Sequence, residues 1–331
     1  MNILVDAMGG DNAPFAIVKG CVEAVKEKKG FDITLIGDEE EIRRILEAED
    51  YEKERIFVKA TTEVITNHDK PTEAIRTKKD SSMVVGFRML KSKMGDAFLS
   101  AGNTGALLTA SLLLLGRIKG VLRPALGAII PTKGRETLLI DAGLNSAVRP
   151  ESYVQFAHFG IEYMKALYGI DDPSVGLVNI GSEDSKGTPT VRDANELLRS
   201  AGINFVGNLE GNDVINGKAK VVVCDGFVGN VLLKFFEGTG MFFLEGLKGV
   251  LKKNILNKVA GAVVKKDLGD FFRPMNPDIV GGAPILGVEG LVMKSHGSSK
   301  VLTIKNVITK TVRLVEADIT GHIRMSLEGE F

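Results

Sequence analysis

Three features of this 331-residue chain predict an α/β fold, a three-layer α/β/α arrangement with a mostly parallel sheet between helices. Short apolar runs of strand length alternate with segments whose apolar residues recur at helical spacing. Alternation of this kind is the signature of a sheet covered by helices on both faces. The polar, glycine-rich segments follow strands, and the loops beyond the carboxyl ends of strands are where such sheets bind ligands. The length suffices for a single catalytic domain over 1–331, with room for two lobes.

Asn2-Ile3-Leu4-Val5 is an apolar first strand. It opens into Asp6-Ala7-Met8-Gly9-Gly10-Asp11-Asn12-Ala13-Pro14, dense in Gly and Asp, before a helix with Ile17, Val18, Cys21, Val22 and Val25 at helical spacing. A strand over 31–36 ends at Gly37, and 38–48 is a helix with the acidic start that the dipole prefers. A strand at 56–60 precedes helical patterning over 70–93 behind Pro71. Asp96-Ala97-Phe98-Leu99 then reads as a buried strand, 100–105 as a turn and 106–115 as a buried helix. Strands at 128–131 and 138–140 follow, the second running into Asp141-Ala142-Gly143-Leu144-Asn145. A helix over 151–167, strand 175–178, loop 179–187, helix 190–200 and strand 204–206 continue the alternation. Strand 221–224 opens onto Asp225-Gly226-Phe227-Val228-Gly229-Asn230 and another helix.

Residues 235–272 differ, because phenylalanines, leucines and lysines interleave there. They read as two amphipathic helices, a protruding hairpin that breaks near Val259-Ala260-Gly261. Past Pro274 and Pro277 come Gly281-Gly282, strand 291–294, the loop Ser295-His296-Gly297-Ser298-Ser299 and a closing helix with Val301, Ile304, Ile308, Val312 and Val315.

Lysine plus arginine and aspartate plus glutamate both number 42, so the net charge is zero. That argues against a nucleic-acid partner held by bulk electrostatics. The two cysteines, Cys21 and Cys224, sit in apolar runs and read as buried free thiols in a reducing compartment. The N-terminus enters a strand directly, with no signal-peptide pattern, and the longest apolar stretch, 106–115, is too short to cross a bilayer. A cytoplasmic protein is expected.

The turn Ser100-Ala101-Gly102-Asn103-Thr104-Gly105 carries the most chemistry. Gly102 and Gly105 let the backbone bend and approach a ligand. Asn103 or Thr104 can cap the next helix, whose first amides and dipole suit a phosphate or a developing oxyanion. The competing reading is capping alone. Related turns recur at Asn179-Ile180-Gly181 and at 225–230, and all of these loops are expected on one rim. No Walker-type loop, spaced dinucleotide glycines or His-Glu-x-x-His is present. His68, His158 and His322 read as structural, whereas His296 sits in a strand-end loop beside Ser298 and Ser299. A Ser-His nucleophile there lacks a nucleophile-elbow sequence. What remains is a rim of Asn, Gly, Thr and Ser with Lys186 and a few arginines. Amides, Asn side chains and a cation suit phosphate and a tetrahedral oxyanion equally, each oxyanion donor being worth roughly 3 kcal/mol of barrier. With no covalent nucleophile in view, the rim fits a reaction in which phosphate itself attacks an activated carbonyl and the protein positions and stabilises. A thiol with a pKa of about 8.5 leaves readily as thiolate, without a strong acid.

Six ordered motifs then identify a likeness: Asp6-Ala7-Met8-Gly9-Gly10-Asp11, the 100–105 turn, Arg123-Pro124-Ala125, Asn179-Ile180-Gly181 with Glu183 and Lys186-Gly187, Asp225-Gly226-Phe227 with Gly229-Asn230, and His296-Gly297-Ser298-Ser299. End to end, the chain resembles the bacterial phosphate acyltransferases of phospholipid synthesis, the PlsX family. One departure is Leu144, where the family has Ala in Asp-x-Gly-Ala-Asn, a bulkier group expected to alter the acyl pocket locally. The resemblance implies transfer of a fatty acyl group from acyl carrier protein to inorganic phosphate, giving acyl phosphate for a membrane glycerol-3-phosphate acyltransferase. It also implies a homodimer, no metal or organic cofactor, and a fold similar to phosphotransacetylases and isopropylmalate dehydrogenases. The candidate catalytic residues are Lys186, Asn230 and His296. The candidate phosphate and thioester contacts are Gly102, Asn103, Thr104, Gly105, Asn179, Gly181, Asp225, Gly229 and Ser298. Asp6, Asp11 and Asp225 also read as fixing their loops through bonds to amides.

The acidic carrier protein calls for a basic dock, and Arg76, Lys78 and Lys79, or the lysines of 235–272, are the candidates. The hairpin reads as a dimer interface, a helix lying on the membrane surface, or both, with the tip near 256–264 in lipid. Three rivals stand beside this reading: a phosphotransacetylase using acyl-CoA, a metal-dependent dehydrogenase of the isopropylmalate type, and a non-catalytic phosphate- or lipid-binding scaffold. The dehydrogenase needs an aspartate cluster on one helix, which the sequence does not show.

Overall fold

The strands form two sheets in the computed structural model, which describes residues 1–272 and 281–328. In chain order the elements of the first lobe are β1 (Asn2–Asp6), α1 (Phe15–Glu27), β2 (Asp32–Gly37), α2 (Glu39–Glu47), β3 (Ile56–Ala60), α3 (Pro71–Thr77), α4 (Ser82–Lys91), β4 (Ala97–Ser100), α5 (Thr104–Ala110) and β5 (Ala125–Leu126). The second lobe holds β6 (Ala128–Thr132), β7 (Arg135–Ile140), α6 (Pro150–Tyr168), β8 (Val175–Val178), α7 (Pro189–Ser200), β9 (Phe205–Leu209), α8 (Gly211–Asn216) and β10 (Val221–Val223). Then α9 (Gly226–Lys252) and α10 (Ile255–Phe272) form the hairpin, and β11 (Ala283–Leu286), β12 (Leu291–Lys294), α11 (Val301–Glu316) and α12 (Ile319–Glu328) follow.

The first sheet runs β3-β2-β1-β4-β12-β11-β5, parallel except where β11 turns against β12 and β5. The second runs β6-β7-β10-β8-β9, parallel except for the β6–β7 hairpin. The chain passes from one sheet to the other at Gly127, between β5 and β6. The expected single rim is therefore two facing sets of strand ends. Sequence patterning could not show the split, because each strand looks the same whichever sheet receives it.

Both faces of the central strands of the first sheet are covered, which is why β1 and β4 are nearly continuous apolar runs, while the edge strand β3 is largely exposed. Ile3 and Val5 of β1 face one way, against Ile17 and Cys21 of α1 and Ile304 and Ile308 of α11. Leu4 faces the other way, against Val84 and Phe87 of α4. Phe87 meets Phe98 of β4 with ring centroids 4.8 Å apart. The first of these clusters continues through Leu138, Ile140, Val221 and Val223 of the second sheet to Phe156 and Phe159 of α6. One apolar core thus runs through both lobes. Cys21 and Cys224 are buried free thiols, as expected, and burial pushes both thiols up in pKa.

Several elements differ from the sequence reading: β9 runs to Leu209 rather than ending at 206, and β5, α8, β11 and α12 have no counterpart in it. The patterning over 70–93 is two helices, because the chain leaves helical geometry at Lys78 and Ser81 caps α4 by accepting from the Val84 amide. The hairpin breaks at residues 253–254, not near Val259, with Asn254 accepting from the Asn257 amide to start α10. Gly261 instead packs inside the hairpin, where a Cβ would stand 3.3 Å from Leu251. Pro274 and Pro277 lie outside the described residues.

Candidate active site

At the end of β1 the Asp6 carboxylate is buried and accepts hydrogen bonds from Ser82 Oγ and Ser100 Oγ, both at 2.6 Å, and from the Met8 amide at 3.2 Å. Ser100 Oγ in turn accepts from the Gly102 amide at 3.0 Å. Desolvation raises the Asp6 pKa against the lowering effect of these donors. The first loop and the 100–105 turn are in contact, since a Cβ on Gly9 would meet the Gly102 nitrogen at 2.8 Å. Asp6 therefore shapes the turn, in keeping with its loop-fixing reading. Asn103 caps α5 by accepting from the Ala106 amide at 3.0 Å, while its Nδ2 donates to the Thr66 carbonyl at 3.2 Å. Both ends of the Asn103 side chain are thus engaged in holding structure.

The second lobe repeats the device. Asp141, at the end of β7, accepts from the amides of Leu126, Gly143, Leu144 and Asn145 and from Asn145 Nδ2. Leu144 packs against the apolar cluster of the first lobe and does not line the cleft described below, so its extra bulk is absorbed there. Asp225 caps α9 by accepting from the Val228 amide at 2.9 Å. Gly229 lets α9 lie directly on the 141–145 loop, because a Cβ there would fall 1.9 Å from the Asp141 carbonyl oxygen. This contact presents Asn230 over Gly143, and Gly143 takes the positive φ of 136° that favours glycine.

Between the two sheets these loops enclose a cleft of about 520 Å³. One part of its wall is apolar, made by Leu126, Ala128, Ile129, Ile130, Pro131, Leu233 and Phe236. The other carries Asn67, Gly102, Thr104, Gly143, Asn230, Lys234, Glu237, Lys294, His296 and Gly297. Lys234 and Glu237 form an ion pair at 2.7 Å. The Lys294 pKa is lowered by burial and by Lys234. His296 is likewise lowered, by burial and then by Lys234 and Lys294, so its imidazole is neutral at pH 7. Its Nδ1 accepts from the Ser298 amide at 3.3 Å and lies 2.9 Å from Ser298 Oγ, which leaves the ring proton on Nε2 as a donor.

Of the sequence-predicted residues, Gly102, Thr104, Asn230 and His296 come together in this cleft, although they arise from three widely separated segments. Asn103, Gly105, Gly229 and Ser298 are each next in sequence to a lining residue, and Asp225 caps the helix that carries Asn230. Asn179, Gly181 and Lys186 occupy the loop after β8, outside the cleft lining. Asn179 ties that loop by donating to the Lys186 carbonyl and accepting from the Ile180 amide. Lys186 is exposed, with Nζ 4.0 Å from Glu183. Lys294, Lys234 and Asn67 line the cleft and were missed by sequence reasoning. For Lys294 a signal existed: it ends the apolar strand that runs straight into His296-Gly297. Among the described residues, no group of three or more His, Cys, Asp and Glu side chains gathers to hold a metal.

A family model described as Fatty acid synthesis protein matches residues 1–322. A phosphate acyltransferase of Acetivibrio thermocellus is 57% identical over 324 residues, covering 98% of this chain and 96% of that relative. A phosphate acyltransferase of Clostridium novyi is 42% identical over 328 residues, covering 99% of each chain. Among solved structures, a phosphotransacetylase from Streptococcus pyogenes superposes with a TM-score of 0.62 at 16% identity, covering 96% of this chain and 94% of that one. A branched-chain phosphotransacylase from Enterococcus faecalis gives 0.57 at 14% identity, covering 95% and 99%. These two likenesses establish the fold.

Proposed function

Because this chain belongs to the Fatty acid synthesis protein family, and its near full-length relatives are phosphate acyltransferases, we propose that the cleft between the sheets moves a fatty acyl group from a thioester to inorganic phosphate. The observation that carries this reading is the division of one cleft into an apolar wall and a polar edge with Thr104, Asn230, His296 and two lysines. The apolar wall accepts the acyl chain. The polar edge holds the phosphate and the carbonyl. A phosphate oxygen forms the new bond to the carbonyl carbon, the carbonyl becomes a tetrahedral oxyanion, and the carbon–sulfur bond then breaks with release of thiolate. Thr104 Oγ1, Asn230 Nδ2 and the His296 Nε2–H are donors for these charges, and oxyanion donors of this kind are worth about 3 kcal/mol each. No protein nucleophile is required. Lys186 stands at the same carboxyl edge of the second sheet as the Asp141 and Asp225 loops, and from there supplies a further cation to the phosphate.

The thioester donor is acyl carrier protein. Lys78 is held by Asp69 at 2.7 Å, which leaves exposed Arg76 and Lys79 to meet that acidic partner. The two lobes act as one catalytic unit, since a single core cluster spans them. The hairpin of α9 and α10 serves a homodimer contact and an anionic membrane surface. Phe235, Phe242, Phe243, Ile255, Leu256, Val259 and Val263 are all more than half exposed along it, an apolar surface of the kind that marks partners or lipid. By length and composition α9 could also cross a membrane, but its first turn is locked into the cleft and charged residues recur along it, which favours lying on the surface. Such a position delivers acyl phosphate to a membrane glycerol-3-phosphate acyltransferase.

The test incubates purified protein with palmitoyl carrier protein and phosphate, and traps acyl phosphate with hydroxylamine. Phosphate-dependent hydroxamate is expected, with palmitoyl-CoA a far poorer donor. Equal use of the CoA thioester makes the protein a phosphotransacetylase, and no hydroxamate from either donor overturns the reading.

A further inference from the structure

We propose that Lys294 is a catalytic residue whose ammonium binds the inorganic phosphate acceptor inside the cleft. The inference rests on the acyl-transfer reading above and assigns the cation that this reading requires. Lys294 is the last residue of β12, in register with Ser100 at the end of β4. It thus stands level with the start of the 100–105 turn, on the same face of its strand as Val292, two residues before His296. Its side chain lines the cleft with Thr104, Asn230 and His296.

Among the described residues the charge there is unmatched. Glu237, the carboxylate that acts on Lys294, already pairs with Lys234 at 2.7 Å. Among the described residues, the Lys294 ammonium has neither a hydrogen-bond acceptor nor a salt-bridge partner. A mostly buried cation without a counter-charge is costly, and its depressed pKa records that cost. An anion in the cleft removes it. Phosphate fits, because one oxygen can accept from Lys294 and another from the neutral His296 Nε2–H, leaving a third to attack the thioester carbon. Lys294 keeps its proton throughout: the oxygen–carbon bond forms, the carbon–sulfur bond breaks, and the thiolate leaves. Lys186, exposed and outside the lining, is in this reading a further cation at the rim rather than the one inside the cleft.

Two measurements decide it. Lys294→Met, which keeps the side-chain length, is expected to raise the KM for phosphate at least about tenfold, the loss typical of a charge-assisted bond, while the KM for the acyl donor stays within about twofold. Lys294→Arg should recover part of the loss. In the unmodified protein, inorganic phosphate should shield Lys294 from an amine-labelling reagent read by mass spectrometry, with exposed Lys26 unaffected and chloride at equal ionic strength giving no shielding. An unchanged phosphate KM in Lys294→Met, or labelling of Lys294 indifferent to phosphate, overturns the assignment. Should the unmodified protein make no acyl phosphate, the reaction reading fails by itself. The labelling result then still decides whether phosphate sits on Lys294.

Discussion

Gly229→Ala is the sharpest perturbation of the cleft. A Cβ at this position would lie 1.9 Å from the Asp141 carbonyl oxygen and 3.0 Å from Cys224 Sγ. Real Cβ contacts essentially never fall below 3.0 Å, so one partner must move by at least about 1.1 Å. Asp141 cannot be that partner easily, since its carboxylate holds the amides of Leu126, Gly143, Leu144 and Asn145. The first turn of α9 moves instead and takes Asn230 with it. A displacement of about 1 Å at a catalytic group costs roughly a hundredfold in rate. The stability change is smaller, because about 1–3 kcal/mol of overpacking is offset by about 1 kcal/mol of helix propensity gained from glycine. Hydroxamate formation and a thermal melt read the two effects separately. Gly246→Ala on the same helix meets open space and serves as control, with activity within twofold and a slight gain in stability. Activity of Gly229→Ala within about threefold of the parent protein would refute the reasoning, because the rigid seat of α9 would then not be what places Asn230.

Two further outcomes follow from the first lobe. Asn103→Ala removes the α5 cap and the tie to Thr66 and should cost about 1 kcal/mol, whereas Asn103→Asp keeps the cap; a hundredfold loss of activity in both variants at unchanged stability would instead put Asn103 on the substrate. Asp69 bears on the same tie, because the Lys78 ammonium, then the Thr66 amide and hydroxyl, hold its carboxyl down to about 2 from the usual 3.8. A depressed carboxylate stabilises the fold above its unfolded pKa, so this contribution is complete above about pH 4 and lost as pH falls through about 2. The Asp69 carboxyl signal in NMR should titrate near 2 and move toward 3.8 in Lys78→Met; a midpoint near 4 in the parent protein would show the contact absent.

The local structure of the cleft was legible because local chemistry creates it. Asp6 and Asp225, read as fixing their loops, collect amides at strand ends as expected. Among the described residues the Asp11 carboxylate accepts no such bond, its amide donating to the Gly297 carbonyl instead, and Asp141, not given this role in the sequence reading, does the same as Asp6. Asn103 was readable as a cap for the same reason, although the sequence left capping and ligand contact open. The helix break at 78–81 was hidden because it rests on contacts with residues 62–69: Lys78 bonds Asp69 and the Val64 carbonyl, and Asp80 bonds Thr62 and Glu63.

By itself, then, the sequence determined the alternation of strand and helix, the apolar faces, the turns at strand ends and the family, all of which rest on neighbours within a few residues or on ordered motifs. Only the tertiary structure decided that the strands divide between two sheets, the chain crossing at Gly127 and returning to the first with β11 and β12, that Asn230, His296, Thr104 and Lys294 face one cleft, and that the loop bearing Lys186 stands outside its lining. Those are matters of which strand pairs with which across long stretches of chain. The hydrogen bonds that fix such pairing come from a backbone common to every residue, so side-chain patterning along the chain carries little record of them.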